Sequence, residues 1–572
     1  MQIYEKKMVF QKKNAHRHRN SYHGPGTEGL PRFFSINLKQ NRSFCVYVAT
    51  NHKTTDMDKT TILWADDEID LLKPHIMFLE DKGYNVIAVT SGDEALDEMS
   101  HHVVDIVFLD ENMPGLTGLD TLSIIKSRHP MIPVVMITKS EEEHIMDEAL
   151  GGKISDYLIK PVKPNQILLT VKKHTEGKRL ADQKSIQTYQ QNFRNISMEL
   201  MNPLSAEGWV DIYKRLVLWD LELSKTEDIN THEILNSQRA EANQLFCRFY
   251  EQNYEDWLAG RAEKPLMSPT VLKEKLFPLL RDDKPTFLIV IDNFRFDQWK
   301  YTQPTIESLF HTEEECVYYS ILPTTTQYAR NALFSGLMPS EIQKKYPQYW
   351  INETEEGNKN QFENELLDEN LKRYGFNIKH SYHKVLNATF GKKLIDNIPR
   401  MMQNKLTVVI YNFIDMLSHA RTELDIIREL AENEKSYRSL TLSWLEHSPL
   451  IEFLKRIAEE DVNLVITTDH GSVKINNPVK VKGDKDVSVN LRYKVGRLLD
   501  YNPKQVYEVK DASKIFLPKL YVTSPYIFAH RNDFFAYPNN YNQYVQYYMN
   551  TFQHGGISME ENLVPFIILK KR

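Results

Sequence analysis

Six aspartate and histidine residues in the C-terminal half of the sequence could together bind metal ions. They fall into two groups, each with both residue types: Asp292, Asp469 and His470 in one, and Asp415, His419 and His554 in the other. Most of them follow short apolar runs typical of buried strands, and open α/β sheets place their sites at the carboxyl ends of parallel strands. Mixed Asp and His ligands with an open coordination position are typical of Zn²⁺ in hydrolytic sites. Although His470 alone could be a turn residue and His554 a polar core residue, the whole set predicts two Zn²⁺ ions.

Three consecutive threonines, Thr324, Thr325 and Thr326, lie between an apolar run that predicts a strand ending at Pro323 and a helical pattern that continues to Gly336. The pattern predicts threonines at the N-terminus of a helix, where unpaired backbone N–H groups favour an anion. A hydroxyl there is either a helix cap or a nucleophile for phosphate. The threonines alone favour the cap. Two zinc ions can bracket one phosphoryl group. Next to such ions, the threonine run is predicted to supply a nucleophile whose hydroxyl oxygen also binds metal.

A second set of carboxylates follows predicted strands nearer the N-terminus. Asp66 and Asp67 follow the apolar run 61–65, and Asp110 follows the run 103–109. Asp66 and Asp67 could merely cap the next helix. Three carboxylates at adjoining strand ends would repel one another unless a cation lay between them, and oxygen-only ligands suit Mg²⁺. The set therefore predicts one Mg²⁺ site at the edge of a parallel sheet.

This region, residues 58–175, resembles the receiver domain of bacterial two-component response regulators. The resemblance rests on the aspartates at strand ends, a Met-Pro-Gly turn after the third aspartate, and polar residues after the last two strands. It implies a flavodoxin-like fold in which Asp110 accepts a phosphoryl group from a sensor histidine kinase. It also implies that Thr138 and Lys160 contact that phosphoryl group and that Tyr157 is the aromatic switch residue.

The composition limits the class of protein. With 572 residues the chain is too long for one core, so several domains are expected. The formal net charge of −6 argues against sequence-specific DNA binding. No apolar run reaches the roughly 18 residues of a membrane span. Three widely spaced cysteines show neither a metal-binding spacing nor a disulfide framework, which is typical of the reducing cytoplasm.

The pattern of the sequence divides the chain into four regions. Residues 1–56 are basic and lack periodicity, and we interpret them as a disordered or non-native extension. Residues 57–176 form the predicted receiver domain. Residues 177–284 have apolar positions at helical spacing and few glycines, which predicts a helical bundle without a catalytic site. Its four predicted helices run at about 178–200, 207–221, 231–258 and 268–280. Residues 285–572 return to alternating strands and helices, with an insertion of short strands and loops at 474–540.

The last region resembles the alkaline phosphatase superfamily and, within it, the PglZ family. The matching segments surround the predicted zinc ligands and the threonine run. The resemblance implies an α/β domain with a largely parallel, mixed central sheet. It also implies a nucleophile ten residues before the glycine that corresponds to Gly336. That count gives Thr326, with Thr325 and Thr324 as alternatives because the run permits a shift.

The order of receiver, helical bundle and PglZ domain resembles response regulators linked to type IX protein secretion in Bacteroidota. The resemblance implies contacts with a secretion-machinery component or a sigma factor. The complete receiver site predicts a phosphorylation-dependent homodimer through roughly residues 140–175. A threonine nucleophile beside two zinc ions suits phosphomonoesters and phosphodiesters alike, and the lysine-rich insertion could hold an oligonucleotide strand, although a solvated loop is the default interpretation. Two functions stay open at this point. One is a zinc-dependent phosphoesterase, either a phosphodiesterase or a phosphatase, under phosphorylation control; the other is a signalling scaffold whose PglZ domain binds a partner without turnover. The intact ligand set favours the enzyme, because converging carboxylates and histidines cost folding free energy without a metal.

Overall fold

The computed structural model describes residues 60–129, 132–139, 154–226, 228–423, 425–483, 487–520 and 525–572. The predicted extension, residues 1–56, lies outside these ranges. The described residues form a receiver domain, three long helices and a larger α/β domain. Among them, no helix combines the length and the apolar character that crossing a membrane requires.

The receiver domain is a parallel five-stranded sheet between helices. Its strands are β1 (Thr61–Ala65), β2 (Asn85–Val89), β3 (Ile106–Asp110), β4 (Val134–Thr138) and β5 (Asp156–Ile159), and its described helices are α1 (Lys73–Asp81), α2 (Gly92–His101), α3 (Gly118–Arg128) and α4 (Pro164–Val171). The strand order is β2-β1-β3-β4-β5. Successive side chains of a strand point to opposite faces of the sheet, each of which has its own hydrophobic core. Leu63 and Val107 pack on one face, and Trp64 and Phe108 pack on the other. This order and layering confirm the predicted flavodoxin-like fold.

Continuous helical turns join the receiver to the bundle. α4 passes through a π-helical turn (Lys172–Glu176) into α5 (Gly177–Leu200), which is followed by α6 (Ala206–Leu223) and α7 (Ile229–Leu258). Aromatic side chains fill the core between these helices, with the rings of Trp209 and Phe246 at 5.6 Å between centroids. The linker is therefore helical, as its periodicity predicts.

The pattern also predicts a fourth helix at about 268–280, and here the structure differs. α8 (Ser268–Val271) is short, and a π-helical turn (Leu272–Leu276) and a 3-10 turn (Leu279–Arg281) follow it. Pro278 lies between these turns and has no backbone N–H to continue an α-helix.

The larger domain is built around a six-stranded mixed sheet. Its strands are β6 (Thr286–Ile291), β7 (Phe310–Tyr319), β8 (His380–Val385), β9 (Leu406–Tyr411), β10 (Asn463–Thr467) and β18 (Leu563–Lys571), in the order β7-β18-β10-β6-β9-β8. β10, β6, β9 and β8 are parallel, whereas β18 is antiparallel to both of its neighbours. Every residue of β6 is buried, which explains why every residue after Thr286 in this strand is apolar. The mixed central sheet confirms the predicted fold class.

Helices cover the sheet, and short strands form the insertion. The helices are α9 (Phe296–Glu307), α10 (Asn331–Ser335), α11 (Pro339–Lys345), α12 (Glu363–Arg373), α13 (Ala388–Asp396), α14 (Ile398–Met401), α15 (Phe413–Glu423), α16 (Asp425–Leu430), α17 (Glu434–His447), α18 (Pro449–Ala458), α19 (Tyr541–Tyr548) and α20 (Met559–Asn562). The short strands are β11 (Val473–Lys474), β12 (Asn477–Lys480), β13 (Tyr493–Val495), β14 (Tyr507–Val509), β15 (Tyr526–Phe528), β16 (Asp533–Ala536) and β17 (Phe552–Gln553). They form three small sheets, β11-β17, β12-β16 and β13-β15-β14.

The apolar run before the threonines is not strand throughout. β7 ends at Tyr319 rather than at Pro323, because the next backbone N–H groups bond outside the sheet. Ile321 N donates to Ser268 Oγ at 3.2 Å, and Leu322 N donates to the Tyr254 hydroxyl of α7 at 3.0 Å. The bundle therefore contacts the segment that leads into the threonine run.

Three neighbouring parallel strands, β10, β6 and β9, end at one edge of the large sheet. Asp292 directly follows β6, Asp469 lies just after β10, and Asp415 lies in the first turn of α15, which follows β9. Strand order therefore places three of the six predicted zinc ligands side by side.

Candidate metal centre

The first ligand group lies at the ends of β6 and β10. Potential ligand atoms of Asp292, Asp469 and His470 all lie within 4.8 Å of one another, and the three side chains are buried. His470 Nε2 is 3.7 Å from Asp292 Oδ1 and 3.7 Å from Asp469 Oδ2. Carboxylate oxygens and an imidazole nitrogen that face one another suit a divalent cation.

The second ligand group combines α15 with the segment after β17. Asp415 and His419 lie one turn apart on α15, as their spacing predicts, and His554 directly follows β17. His419 Nε2 is 3.5 Å from Asp415 Oδ2, and His554 Nε2 is 3.5 Å from Asp415 Oδ1. His419 is the exposed member, so this group opens to solvent.

The two groups adjoin. The rings of His470 and His554 stack with their centroids 4.2 Å apart. Asn293, which follows Asp292, directs its Nδ2 toward Asp415 Oδ1 at 3.5 Å. The structure therefore brings all six predicted ligands into one centre with two subsites.

Backbone carbonyls orient the two stacked histidines. His554 Nδ1 lies 3.1 Å from Thr324 O, and His470 Nδ1 lies 3.1 Å from Gly471 O. A proton on Nδ1 that is donated to a carbonyl leaves the Nε2 lone pair available for a metal. Since both Nε2 atoms face the carboxylates, these hydrogen bonds favour the ligating tautomer.

Burial and mutual repulsion perturb the ionisation of the centre. Burial and the neighbouring Asp292 carboxylate raise the pKa of Asp469 to about 6, and they also raise the pKa of Asp415. Burial opposes ionisation of Asp292 as well, but the Arg330 guanidinium and His470 outweigh it and lower its pKa. Burial and the adjacent His470 hold the pKa of His554 well below its usual range, which keeps that imidazole neutral.

These side chains fit a pair of metal ions. Asp469 Oδ2 is buried and accepts no hydrogen bond from the described residues. A buried carboxylate oxygen without a hydrogen bond is costly, and a divalent cation would both satisfy the oxygen and relieve the repulsion between Asp469 and Asp292. The mixture of oxygen and imidazole donors matches Zn²⁺.

Thr326 is the threonine next to the first ligand group. Its Oγ1 lies 3.2 Å from His470 Nε2 and 3.4 Å from Asp292 Oδ1. It begins a π-helical turn, Thr326–Arg330, that leads into α10. The threonine selected by the count from Gly336 therefore has its hydroxyl beside two predicted ligands.

The other two threonines have different surroundings. Thr325 occupies the N-cap of the π-helical turn, but its hydroxyl makes no cap hydrogen bond and is buried without a partner among the described residues. Thr324 Oγ1 accepts a hydrogen bond from Gly555 N at 2.9 Å and donates to Gly556 O at 3.1 Å. Thr324 therefore supports the segment that carries His554.

Arg330 and Glu363 are buried charged residues beside the centre that the sequence patterns did not indicate. Arg330 donates from one terminal nitrogen to Asp292 Oδ2 at 2.7 Å and from Nε to Glu363 Oε1 at 2.6 Å. Glu363 also pairs with Lys384 Nζ at 2.7 Å. Arg330 thus occupies one oxygen of Asp292 and leaves the other facing Thr326. The four-residue spacing from Thr326 could have indicated Arg330, because such residues share a helix face; Glu363 has no comparable signal.

The receiver aspartates also converge. Potential ligand atoms of Asp66, Asp67 and Asp110 lie within 4.8 Å of one another. Lys160 Nζ lies 3.0 Å from Asp66 Oδ2 and 3.0 Å from Asp110 Oδ2. Burial raises the pKa of Asp110 despite this lysine, and a bound cation would favour its ionised form. The oxygen-only set fits Mg²⁺.

The remaining predicted switch residues lie on the two strands beyond Asp110. Thr138 ends β4, and its hydroxyl donates to Glu111 Oε2 at 2.9 Å. Tyr157 lies on β5, the edge strand, and is 40% exposed. Both residues therefore lie on the side of the sheet that ends with the edge strand β5.

Curated relatives match about a fifth of the chain. The luminescence regulatory protein LuxO of Vibrio campbellii is 31% identical over 130 residues, which is 22% of this chain and 29% of that protein. The alginate biosynthesis transcriptional regulatory protein AlgB of Pseudomonas aeruginosa is 32% identical over 128 residues, 22% of this chain and 28% of that protein. The chain thus spans less than a third of the length of either relative.

Solved structures of receiver domains are similar to about the same fraction of this chain as the curated relatives. The receiver domain of NtrX from Brucella abortus is 32% identical and covers 20% of this chain and 98% of its own, with a TM-score of 0.19. The chemotaxis response regulator CheY4 of Vibrio cholerae is 26% identical and covers 20% of this chain and 98% of its own, with a TM-score of 0.19.

Three protein families match successive parts of the chain. Residues 62–172 match the response regulator receiver domain, and residues 179–258 match the PorX response regulator linker domain. Residues 271–569, more than half of the chain, match the BREX system PglZ alkaline phosphatase-like domain. The chain therefore belongs to the PglZ alkaline phosphatase-like family and has the receiver, linker and PglZ order of a PorX-type response regulator.

Proposed function

We propose that this protein is a response regulator in which a histidine kinase phosphorylates Asp110, and that phosphorylation controls a zinc-dependent phosphoesterase in the PglZ domain. The observation that carries the proposal is the position of the Thr326 hydroxyl beside two adjoining groups of Asp and His ligands. Asp292, Asp469 and His470 would hold one ion, with Thr326 as a further oxygen ligand. Asp415, His419 and His554 would hold the other. Three carboxylates, Asp66, Asp67 and Asp110, would hold one Mg²⁺ in the receiver.

The reaction follows from the position of Thr326. Its Oγ1 attacks the phosphorus atom, so that a bond from phosphorus to Thr326 forms and the ester bond to the leaving alcohol breaks. The alcohol leaves with a proton, and water then hydrolyses the phosphothreonine and restores the hydroxyl. Bound zinc ions would supply Lewis acidity to the attacking and leaving oxygens. Asp292 orients the hydroxyl through the contact of its Oδ1 with Oγ1, and the ion that His470 and Asp292 would hold adjoins the same oxygen.

Within this class of reaction we favour phosphodiesters of the nucleotide type. The support comes from Arg330, which lies one turn after Thr326 but donates to the carboxylates of Asp292 and Glu363. The positive charge of Arg330 is therefore neutralised by carboxylates of the protein itself. A diester carries one negative charge where a monoester at neutral pH carries nearly two, so a diester has less need of an additional free cation.

The test compares a chromogenic phosphodiester with a chromogenic phosphomonoester, each with metal-free protein and after zinc is restored. We expect zinc-dependent turnover of at least one ester, with the diester preferred. Turnover that is equal with and without zinc would contradict the metal-dependent mechanism. Zinc binding without turnover of either ester would favour the scaffold, in which the PglZ domain binds a secretion component or a sigma factor.

The proposed cellular role is regulation of type IX protein secretion from the cytoplasm. It rests on the resemblance of the domain order to regulators of that pathway, and the match of residues 179–258 to the PorX linker family supports it. Deletion of the gene should reduce the export of type IX cargo, and an Asp110→Ala copy should fail to restore it.

Phosphorylation is expected to cause dimerisation through the receiver. A phosphoryl group on Asp110 would add charge that draws Thr138 and Lys160 inward and would thereby change the surface formed by β5 and its flanking helices. In the described part of the predicted interface, residues 154–175, the edge strand β5 exposes Tyr157 and α4 exposes Leu169. The rest of that interface, residues 140–153, lies outside the described residues.

Multi-angle light scattering tests this prediction with beryllofluoride as the phosphoryl mimic and Mg²⁺ present. The wild-type mass should double, and the mass of Asp110→Ala should stay that of a monomer. An unchanged wild-type mass, or an equal shift in Asp110→Ala, would mean that the receiver signals without self-association.

A further inference from the structure

A buried network of charged residues joins the helical bundle to the larger domain. We call it the bundle–centre network; its members are Asp220, Arg239, Arg295, Asp297, Arg438 and Glu560. Asp220 on α6 accepts a hydrogen bond from an Arg438 terminal nitrogen at 2.6 Å, and the same nitrogen lies 3.1 Å from Asp297 Oδ2. Arg438 is almost completely buried. It therefore bridges a bundle carboxylate and a carboxylate at the start of α9.

From Asp297 the network continues to Arg295. The Asp297 carboxylate accepts two hydrogen bonds from the Arg295 guanidinium, at 2.9 and 2.7 Å. The two arginines hold the pKa of Asp297 at about 2 against the effect of burial, so this carboxylate is ionised at neutral pH. The guanidinium of Arg295 is itself buried and also pairs with Glu434.

A second arm of the network starts at the same bundle carboxylate. Arg239 on α7 lies 3.3 Å from Asp220 Oδ2 and 3.2 Å from Glu560 Oε1. Asn243, one turn further along α7, donates to Glu560 Oε2 at 2.8 Å and accepts from Met559 N at 2.8 Å. Asp220 is thus shared by two arginines that lead to different parts of the larger domain.

The first arm ends at the segments that carry the predicted zinc ligands. Arg295 lies three residues after Asp292 and donates to Ser472 O, two residues after His470, at 3.3 Å. Its guanidinium also lies 5.2 Å from the ring centroid of Phe552, two residues before His554. One buried side chain therefore contacts the segments of both ligand groups.

The second arm ends against the His470 segment. Gly471 N donates to Glu561 O at 3.1 Å, and a Cβ atom on Gly471 would lie only 2.0 Å from Glu560 O. Such close backbone packing means that a shift of α20 must also shift the segment that contains Asp469 and His470. Removing one partner from a buried ion network leaves an uncompensated charge and is strongly destabilising, so the surrounding segments would have to move.

We propose that Asp220, in the helical bundle, is a positioning residue for the metal centre in the larger domain. By compensating Arg438 and Arg239, it holds both arms of the network and, through them, the segments of Asp292, His470 and His554. The bundle is then part of the metal-binding unit rather than a passive connector. This inference rests on the proposed metal binding and adds to it a dependence on residues outside the PglZ-type sheet.

The test measures the zinc affinity of the full chain by competition with a chromophoric chelator. Asp220→Asn should weaken zinc binding by roughly 10- to 100-fold, as loss of groups that support metal ligands generally does. The matched control is Asp211→Asn on the same helix, because the Asp211 side chain is 65% exposed and its ion pair, with Arg215 at 2.8 Å, lies outside the bundle–centre network. Its zinc affinity should equal that of wild type. Asp220→Glu, which keeps the charge, should recover part of the affinity.

Thermal unfolding of the metal-free proteins separates positioning from a general loss of stability. We expect Asp220→Asn to remain folded at the assay temperature. If it does not fold, Arg239→Met removes only the second arm and should weaken zinc binding by a smaller factor. Wild-type zinc affinity in a folded Asp220→Asn, or in Arg239→Met where Asp220→Asn fails to fold, overturns the inference but leaves the proposed function intact. A wild-type chain that takes up no zinc overturns both.

Discussion

Replacing Thr326 with valine is expected to abolish phosphoester hydrolysis while leaving the fold intact. Valine has nearly the same shape as threonine but lacks the oxygen that lies 3.2 Å from His470 Nε2 and 3.4 Å from Asp292 Oδ1. Loss of a nucleophile should raise the activation free energy by more than about 3 kcal/mol, a rate loss of more than about 100-fold. Steady-state hydrolysis of the zinc-loaded variant measures this effect, and circular dichroism checks the fold.

The neighbouring threonines provide matched controls. Thr325→Val should retain activity, because the Thr325 hydroxyl has no hydrogen-bond partner among the described residues. Thr324→Val should lower activity indirectly, since it leaves Gly555 N without its acceptor and loosens the segment of His554. Thr326→Ser keeps a hydroxyl and should keep measurable activity. Full activity in Thr326→Val with loss in Thr325→Val would move the nucleophile by one residue, and three harmless substitutions would rule out the covalent mechanism.

The second large effect is expected from Asp415→Ala, which should remove one of the two zinc ions. Asp415 is the carboxylate that both His419 and His554 face, at 3.5 Å each. The other group keeps its own two carboxylates and His470. Zinc content should therefore fall from about two to about one ion per chain, and hydrolysis should fall by a factor comparable to loss of the nucleophile. Elemental analysis after dialysis against buffer with low free zinc measures the content.

Two further variants serve as controls for the zinc content of Asp415→Ala. Met416→Ala changes an exposed neighbour on the same helix and should keep about two ions per chain. Asp469→Ala should empty the other subsite more than the one that contains Asp415. If wild-type protein contained no zinc after gentle purification and bound none when zinc was added, the predicted zinc binding would be wrong. Equal loss of both ions in the two aspartate variants would show a single cooperative site in place of two separable subsites.

The sequence predicts the elements of this protein because their signals are local. A fully buried parallel strand is apolar along most of its length, and the run 286–291, in which five consecutive apolar residues follow Thr286, is β6. Asp415 and His419 are four residues apart, so any helix through them places both on one face. The receiver aspartates were recognisable in the same way, since each follows a short apolar run. The fold class is confirmed, whereas the catalytic and ligand roles stay predictions.

Other predictions were limited because they depend on which distant segments meet. Neither the length of the fourth bundle helix nor the end of β7 followed from periodicity. Leu322 N bonds to the Tyr254 hydroxyl, 68 residues away, instead of to a neighbouring strand. Arg330 and Glu363 are charged residues of types that are usually exposed, yet both are buried, Arg330 against Asp292 and Glu363 against Arg330. The spacing from Thr326 could have indicated Arg330, but nothing short of the tertiary structure indicates Glu363.

The sequence by itself determined the domain order and the predominant strand or helix character of each region, and it predicted a set of residues able to bind metal. It did so because periodicity, strand-end position and residue chemistry are properties of short segments. Only the tertiary structure decided that Thr326, and not Thr325 or Thr324, lies beside His470. It alone also connected Asp220 in the bundle to Arg438, 218 residues later, at 2.6 Å. Such contacts depend on how whole helices and sheets pack, and no short stretch of sequence carries that information.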